Sequence, residues 1–94
     1  MAFAAAMDQH GDTKELLARY DKLAPVVQAL GPQPGHISHY CLETDYGIRV
    51  VNIYETEDQL RAAYDRPAFR DVLKQGGMEY HDPTVMRVHN YRHL

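Results

Sequence analysis

The sequence predicts an α+β protein with the element order β-α-β-β-α-β, in which a four-stranded antiparallel sheet carries its helices on one face. Two observations lead to this prediction. Apolar residues recur at helical spacing in two stretches and at strand spacing in four others, and Gly, Pro and Asp separate the stretches. Right-handed crossovers and one hairpin then place the strands in the order 4-1-3-2. The 94 residues fit one domain, covering 1–94.

The N-terminal third is predicted to form strand 1 and the first helix. Strand 1 covers about residues 2–8. Asp12 and Glu15 have the spacing of a capping box, in which each side chain bonds the other residue's backbone amide. A helix should therefore begin there and run over about 13–30, with a kink or a split-off last turn at Pro25, which has no amide proton to donate.

Strands 2 and 3 are predicted at about 36–43 and 48–54, joined by a turn over 44–47. This turn pairs His39 with Asn52, and residues opposed in a hairpin share a face of the sheet.

The same register distributes the remaining side chains of the hairpin between two faces. Ile37 would oppose Tyr54, and His36 would point to the opposite face from His39. One face would then carry a mixed polar and apolar set: His39, Cys41, Val50, Asn52 and Tyr54.

Strand 3 is apolar on both faces, which indicates that both are covered. The predicted helices would cover the face of strand 3 that carries Val50. Val51 and Ile53 lie on the opposite face, which the helices do not cover. A second sheet from an identical subunit, packed face to face, would supply it, so we expect a homodimer.

The C-terminal half is predicted to contain an interrupted helix and the last strand. Thr56 and Gln59 form a second capping box. The residue before Pro67 avoids helical geometry, so the helix should break there and a second piece should begin at the proline. Gly76 ends that piece, and strand 4 should follow over about 84–91.

Charge and composition exclude several classes of partner. The formal net charge is −3 with both signs interspersed, which argues against nucleic acid, and no apolar run is long enough to span a bilayer. Cys41 is the single cysteine, so no internal disulfide is expected. These features are typical of a cytoplasmic protein without a membrane partner.

The element order and several short motifs resemble the dimeric α+β barrel superfamily, which has a ferredoxin-like fold, and within it the antibiotic biosynthesis monooxygenase-like proteins. The features are Gly35 before strand 2, His39 within it, and the segments Gly47-x-Arg49-Val50-Val51-Asn52-x-Tyr54-Glu55 and Val88-His89-Asn90-Tyr91. Asn52, Tyr54 and Thr56 replace the Asp, Trp and Ser of the family pattern. The resemblance implies a homodimer with a small-molecule cavity between sheet and helices in each subunit.

The resemblance does not imply one reaction, because cofactor-independent oxygenases, polyketide cyclases, haem-degrading enzymes and proteins of unknown role share this fold. The haem-degrading branch has an Asn on strand 1, a Trp at the end of strand 3 and a His on helix 2. The corresponding positions here are Met7, Tyr54 and about Leu73, so all three differ.

His39 and Asn52 are the central candidates for chemistry. The Asn amide could fix the His tautomer while the other ring nitrogen removes a proton, and Tyr54 could bind the developing oxygen anion. This suits oxidation or cyclisation of an aromatic, polyketide-like compound without a cofactor. Further candidates, for substrate binding, are Val50, Tyr64 and His89. The alternatives are a non-catalytic small-molecule-binding or stress-associated barrel, in which the pair only fixes strand register, and a purely dimer-building module.

The six histidines suggest a metal site, but their spacing does not support one. On a regular strand the rings of His36 and His39 would point to opposite faces and could not bind one ion. A site made of His39, His89 and a carboxylate is conceivable, yet we predict no metal. His10, His36 and His93 are expected to be exposed or interfacial.

Overall fold

The computed structural model describes residues 1–92, so the predicted tail residues His93 and Leu94 lie outside the described part. Within it the elements are β1 (Phe3–His10), α1 (Thr13–Gln28), β2 (His36–Thr44), β3 (Gly47–Tyr54), α2 (Glu57–Tyr64), α3 (Pro67–Gln75) and β4 (Thr84–Arg87). The strands form one antiparallel sheet in the order β2-β3-β1-β4, which confirms the predicted topology. No helix in this range is long and apolar enough to cross a membrane.

The helices begin where the capping residues indicate. The Asp12 carboxylate accepts a hydrogen bond of 2.9 Å from the Glu15 amide, and the Thr56 hydroxyl accepts one of 3.1 Å from the Gln59 amide. Helix α1 runs past Pro25 to Gln28 and is not split there.

The predicted break at Pro67 is present and divides the second helical region into α2 and α3. Arg66 has extended backbone angles, φ −65° and ψ 121°. This is expected because a proline disfavours the helical conformation of the residue before it.

All three helices lie on one face of the sheet and cover two buried apolar clusters. The first cluster lies under α2 and contains Ala5, Met7, Tyr54, Leu60, Ala63 and Tyr64. The second lies under α1 and contains Leu16, Leu23, Ile48 and Met78. The core is thus divided, and the space between its two parts borders the cavity described below.

The other face of the sheet carries several exposed apolar side chains, and no helix of residues 1–92 covers it. Tyr40, Leu42 and Met86 are 48%, 46% and 45% exposed there, and Val51 and Ile53 lie beside them half-buried. These five residues are called the open face below. Val51 and Ile53 point away from the helices, as the register predicts.

A β-bulge at the start of β2 corrects the predicted register. His39 pairs with Asn52 as expected, but Tyr54 pairs with His36, and Ser38 pairs with Ile53, so Ile37 is an extra residue. The predicted pair of Ile37 with Tyr54 is therefore wrong. One inserted residue reverses the facing of every residue before it, which brings His36 to the same face as His39.

Strand 4 is shorter than predicted. It ends at Arg87, which pairs with Phe3, the first residue of β1. The last bond of this edge runs from the Val88 amide to the Ala2 carbonyl, at 2.9 Å. His89 is exposed and follows the strand instead of lying within it.

The close approach of β1 to Gly47 generates a stability prediction. Gly47 has φ +149°, and a Cβ there would lie 2.0 Å from the Gln9 carbonyl oxygen, which the sheet holds in place. Gly47→Ala should therefore lower the free energy of unfolding by about 2–4 kcal/mol, measured by urea denaturation.

Gly31→Ala is the matched control for this substitution. Gly31 also has a positive φ, +94°, but a Cβ there would meet nothing within 4 Å. Gly31→Ala should therefore lower the free energy of unfolding only by the cost of backbone strain, roughly 1 kcal/mol. Equal losses at the two positions would contradict a steric role for the Gln9 carbonyl.

Candidate active site

A cavity of about 370 Å³ lies between the helices and the sheet, within the size range of small-molecule pockets. Strands β1, β2 and β3 and all three helices contribute to its wall. Most of the wall is apolar, including Met7, Leu23, Val27, Val50, Phe69, Leu73 and Met78. The polar side chains that share this wall are three glutamines and a group of histidines and tyrosines around Asn52.

Asn52 lies on β3, is 9% exposed and makes three side-chain hydrogen bonds. Its amide oxygen is 2.7 Å from Nδ1 of His39 and 2.9 Å from Nε2 of His36, and its amide nitrogen donates to the Tyr64 hydroxyl at 2.8 Å. A carbonyl oxygen can only accept, so each imidazole donates its N–H to it. Neutral His39 therefore carries its proton on Nδ1 and has its lone pair on Nε2.

Tyr20 occupies the free nitrogen of His39. The Tyr20 hydroxyl, on α1, donates a hydrogen bond to Nε2 of His39, and the two rings are nearly parallel, with centroids 5.9 Å apart. Burial raises the pKa of Tyr20, with smaller contributions from neighbouring Cys41 and Asp21, so the phenol keeps its proton at neutral pH. A continuous chain of hydrogen bonds thus runs from Tyr20 through His39 and Asn52 to Tyr64.

His36 joins this chain because of the bulge in β2. Its ring stacks on Tyr54, with centroids 4.8 Å apart and planes inclined by 19°. The rings of His36 and His39 are 6.5 Å apart, and both reach the same amide oxygen. The prediction that they point to opposite faces is therefore wrong.

The shared orientation of these histidines does not complete a metal site. Within residues 1–92, no group of three or more His, Cys, Asp or Glu side chains is arranged to hold an ion.

Tyr54 and Tyr64 are the two most deeply buried phenols of the site, at 3% and 4% exposed. Burial raises the pKa of Tyr54 to about 12, and the neighbouring Tyr64 adds to the shift. Burial also raises the pKa of Tyr64, although the hydrogen bond from Asn52 opposes it. Both side chains are therefore neutral hydrogen-bond donors at physiological pH.

The structure brings together most of the residues predicted from the sequence. His39, Val50, Asn52, Tyr54 and Tyr64 all line the cavity. His89 is exposed and is not among the lining residues, because β4 ends before it.

Sequence reasoning missed two members of the site. Tyr20 follows the apolar stripe of helix α1, which indicated only that it is part of the core. The bulge that places His36 on the helix side of the sheet has no marker in the residue pattern beyond the preceding Gly35, whose φ is +74°.

The raised pKa of Tyr54 predicts a loss of stability at alkaline pH. The folded state holds this proton up to about pH 12, whereas an exposed phenol, with a pKa of 10.0, releases it near pH 10. The stabilisation is therefore full below pH 10 and is lost as the pH rises towards 12. Tyr54→Phe should flatten the fall in unfolding free energy over this range, measured by urea titrations. A slope that the substitution leaves unchanged would contradict this assignment.

The sequence matches no protein-family model and no curated protein. Solved structures do match over nearly the whole chain. Two structures of SnoaB, a cofactor-independent oxygenase from Streptomyces nogalater, superpose with TM-scores of 0.63 and 0.62 at 17% identity, covering 96% of this chain and 93% of SnoaB. A Caulobacter crescentus protein named for antibiotic biosynthesis monooxygenases gives 0.60 at 13% identity, covering 97% and 89% of the two chains. The chain therefore has the ferredoxin-like fold of the antibiotic biosynthesis monooxygenase-like proteins, which confirms the resemblance of its sequence at the level of the fold.

Proposed function

We propose that the protein is a small-molecule enzyme of the antibiotic biosynthesis monooxygenase-like type. It would oxidise or cyclise an aromatic, polyketide-like compound, without a cofactor, in the cavity between sheet and helices. The observation that carries the proposal is the 2.7 Å contact between Nδ1 of His39 and the amide oxygen of Asn52, beside a largely apolar cavity that His39 lines. An amide oxygen only accepts, so the proton is on Nδ1 and Nε2 is the basic nitrogen. The cofactor-independent oxygenase SnoaB, which shares the fold, supports the proposal by analogy.

His39 would act as the general base through Tyr20. Because the Tyr20 hydroxyl already donates to Nε2, it can pass its proton to that nitrogen while it takes a proton from a substrate hydroxyl or an acidic C–H. The substrate then carries the negative charge and His39 becomes an imidazolium. Asn52 continues to accept from Nδ1–H throughout, so the ring keeps its orientation.

Tyr54 and Tyr64 would stabilise the anion that forms. Both are neutral donors in a cavity with apolar walls, where a hydrogen bond to a developing oxygen anion is stronger than in water. The Tyr64 oxygen already accepts from Asn52, which leaves its own proton to donate. The substrate anion could then transfer electrons to dissolved dioxygen, or attack a carbonyl in the same molecule.

One observation favours a non-catalytic alternative. The side-chain amide of Asn52 and both ring nitrogens of His39 already have hydrogen-bond partners within the protein. The cluster can therefore also be a purely structural part of the protein whose polar groups are all hydrogen-bonded. In that case the cavity would bind a small apolar or aromatic molecule without transforming it, as in a binding or stress-associated barrel.

The open face supports a homodimer as part of the same proposal. A sheet face with Tyr40, Leu42 and Met86 nearly half exposed is the kind of apolar patch that a second copy covers in a face-to-face arrangement. Asp8 and Arg49 form a 2.8 Å ion pair on the same side of the sheet, and the guanidinium lowers the pKa of the carboxyl. This pair would lie at the polar rim.

His39→Ala should reduce turnover by about 10²–10⁴-fold, because it removes the base. The measurement is oxygen consumption with polycyclic phenols that carry an acidic C–H, alongside product analysis for cyclisation. His36→Ala is the matched control, since it removes an imidazole from the same Asn52 oxygen without removing the base, and it should cost much less. Equal effects of the two substitutions, or a loss of folding in His39→Ala with no turnover in the unchanged protein, would favour the non-catalytic alternative.

Leu42→Lys should convert the protein from a dimer to a monomer, because it would bury an unpaired charge between two sheets. Sedimentation equilibrium at micromolar concentration measures this. Glu43→Lys is the control: it is the next residue of β2, faces the other side of the sheet and should leave the dimer intact. A monomeric unchanged protein at that concentration would refute the proposed homodimer.

A further inference from the structure

Gln9 is a buried polar residue in the cavity wall that the proposed chemistry does not use. It lies on β1, is 7% exposed and lines the same cavity as Asn52. Its amide nitrogen donates to the backbone carbonyl of Glu79. Only the nitrogen can face a carbonyl oxygen, so this contact fixes the orientation of the amide group and identifies the other atom as Oε1.

The Oε1 atom of Gln9 has no hydrogen-bond donor among residues 1–92. It is not completely buried, however. Among residues 1–92, the completely buried side-chain oxygens without a hydrogen-bond partner belong to Thr44 and Gln59, and Oε1 of Gln9 is not one of them. A buried amide oxygen that lacks a donor, on a residue that lines a cavity, is an acceptor available to a bound molecule.

Gln9 and Asn52 lie at two separate positions along the cavity. Asn52 pairs with Ala5, and Gln9 is four residues further along β1, where it pairs with Ile48. At the rise of a β-strand these two positions are about 13 Å apart. Met7 pairs with Val50 midway between them, and both side chains line the cavity. The wall is therefore polar, apolar and polar again along its length.

We infer that Gln9 forms a second polar subsite, and that the molecule bound in the cavity is an elongated apolar compound with a hydrogen-bond donor at each end. One donor, at the reacting end, donates to the Tyr20 hydroxyl, which in turn donates to His39. The other, an O–H or N–H group, meets Oε1 of Gln9. This inference rests on the proposed function for the identity of the reacting end, but it makes a statement about binding that holds without turnover.

The test uses two probes that differ only at one end: 2-hydroxyanthracene and 2,6-dihydroxyanthracene. Their dissociation constants are measured by the fluorescence of the anthracene ring. The symmetrical diol gains a factor of two from its two equivalent orientations, and one additional hydrogen bond should bring the total to about 10-fold tighter binding. In Gln9→Met the ratio should fall to about two. Gln33→Met, which changes another glutamine of the same wall, should keep the ratio of the unchanged protein.

A purely structural role for Gln9 gives a different result. If Gln9 serves only to tie β1 to the segment at Glu79, the ratio is about two in the unchanged protein, and Gln9→Met lowers only the melting temperature. That result, or failure of both probes to bind, overturns the inference. If Gln9→Met does not fold, a ratio of about two in the unchanged protein still overturns the inference.

The two proposals fail separately. A 10-fold ratio without oxygen consumption or cyclisation supports the Gln9 subsite and counts against the proposed reaction. Turnover that His39→Ala abolishes, combined with a ratio of two, supports the reaction and overturns the subsite.

Discussion

The buried amide of Asn52 is the interaction on which the rest of the site depends. A carboxamide removed from water costs roughly 1–3 kcal/mol for each group left without a partner, so its oxygen and nitrogen must be satisfied within the fold. Two of its hydrogen-bond partners lie on β2 and one lies on α2. This one side chain therefore holds the hairpin in register and fixes α2 over the sheet, which also fixes two walls of the cavity.

The same amide sets the direction of proton transfer. Both imidazoles must present an N–H to its oxygen, so the proton of His39 can be exchanged only at Nε2, where Tyr20 lies. A carboxylate at position 52, as in the pattern that the sequence resembles, would favour a charged imidazolium in the resting state. The neutral amide orients the ring without that bias.

Local patterns in the sequence were sufficient for some of these contacts and not for others. The pairing of His39 with Asn52 follows from the length of one turn, and the break at Pro67 follows from proline sterics. The position of His36 on the helix side of the sheet depends on a β-bulge, which changes both the pairing and the twist of the strand. The contact with Tyr20 depends on how α1 crosses the sheet, and the exclusion of His89 from the sheet depends on where β4 ends. None of these three is encoded in residue periodicity.

The cavity and the open face are connected through the stability of the fold. A chain of 94 residues buries a limited core, and here the cavity occupies space between two small apolar clusters instead of packed side chains. The binding site thus reduces the stability available from the helix side of the sheet. Strand β3 can offset this only on its other side, where Val51 and Ile53 face the open surface. The proposed homodimer would bury that surface, so the apolar outer face of β3 and the polar residues on its inner face are two consequences of placing a cavity in so small a fold.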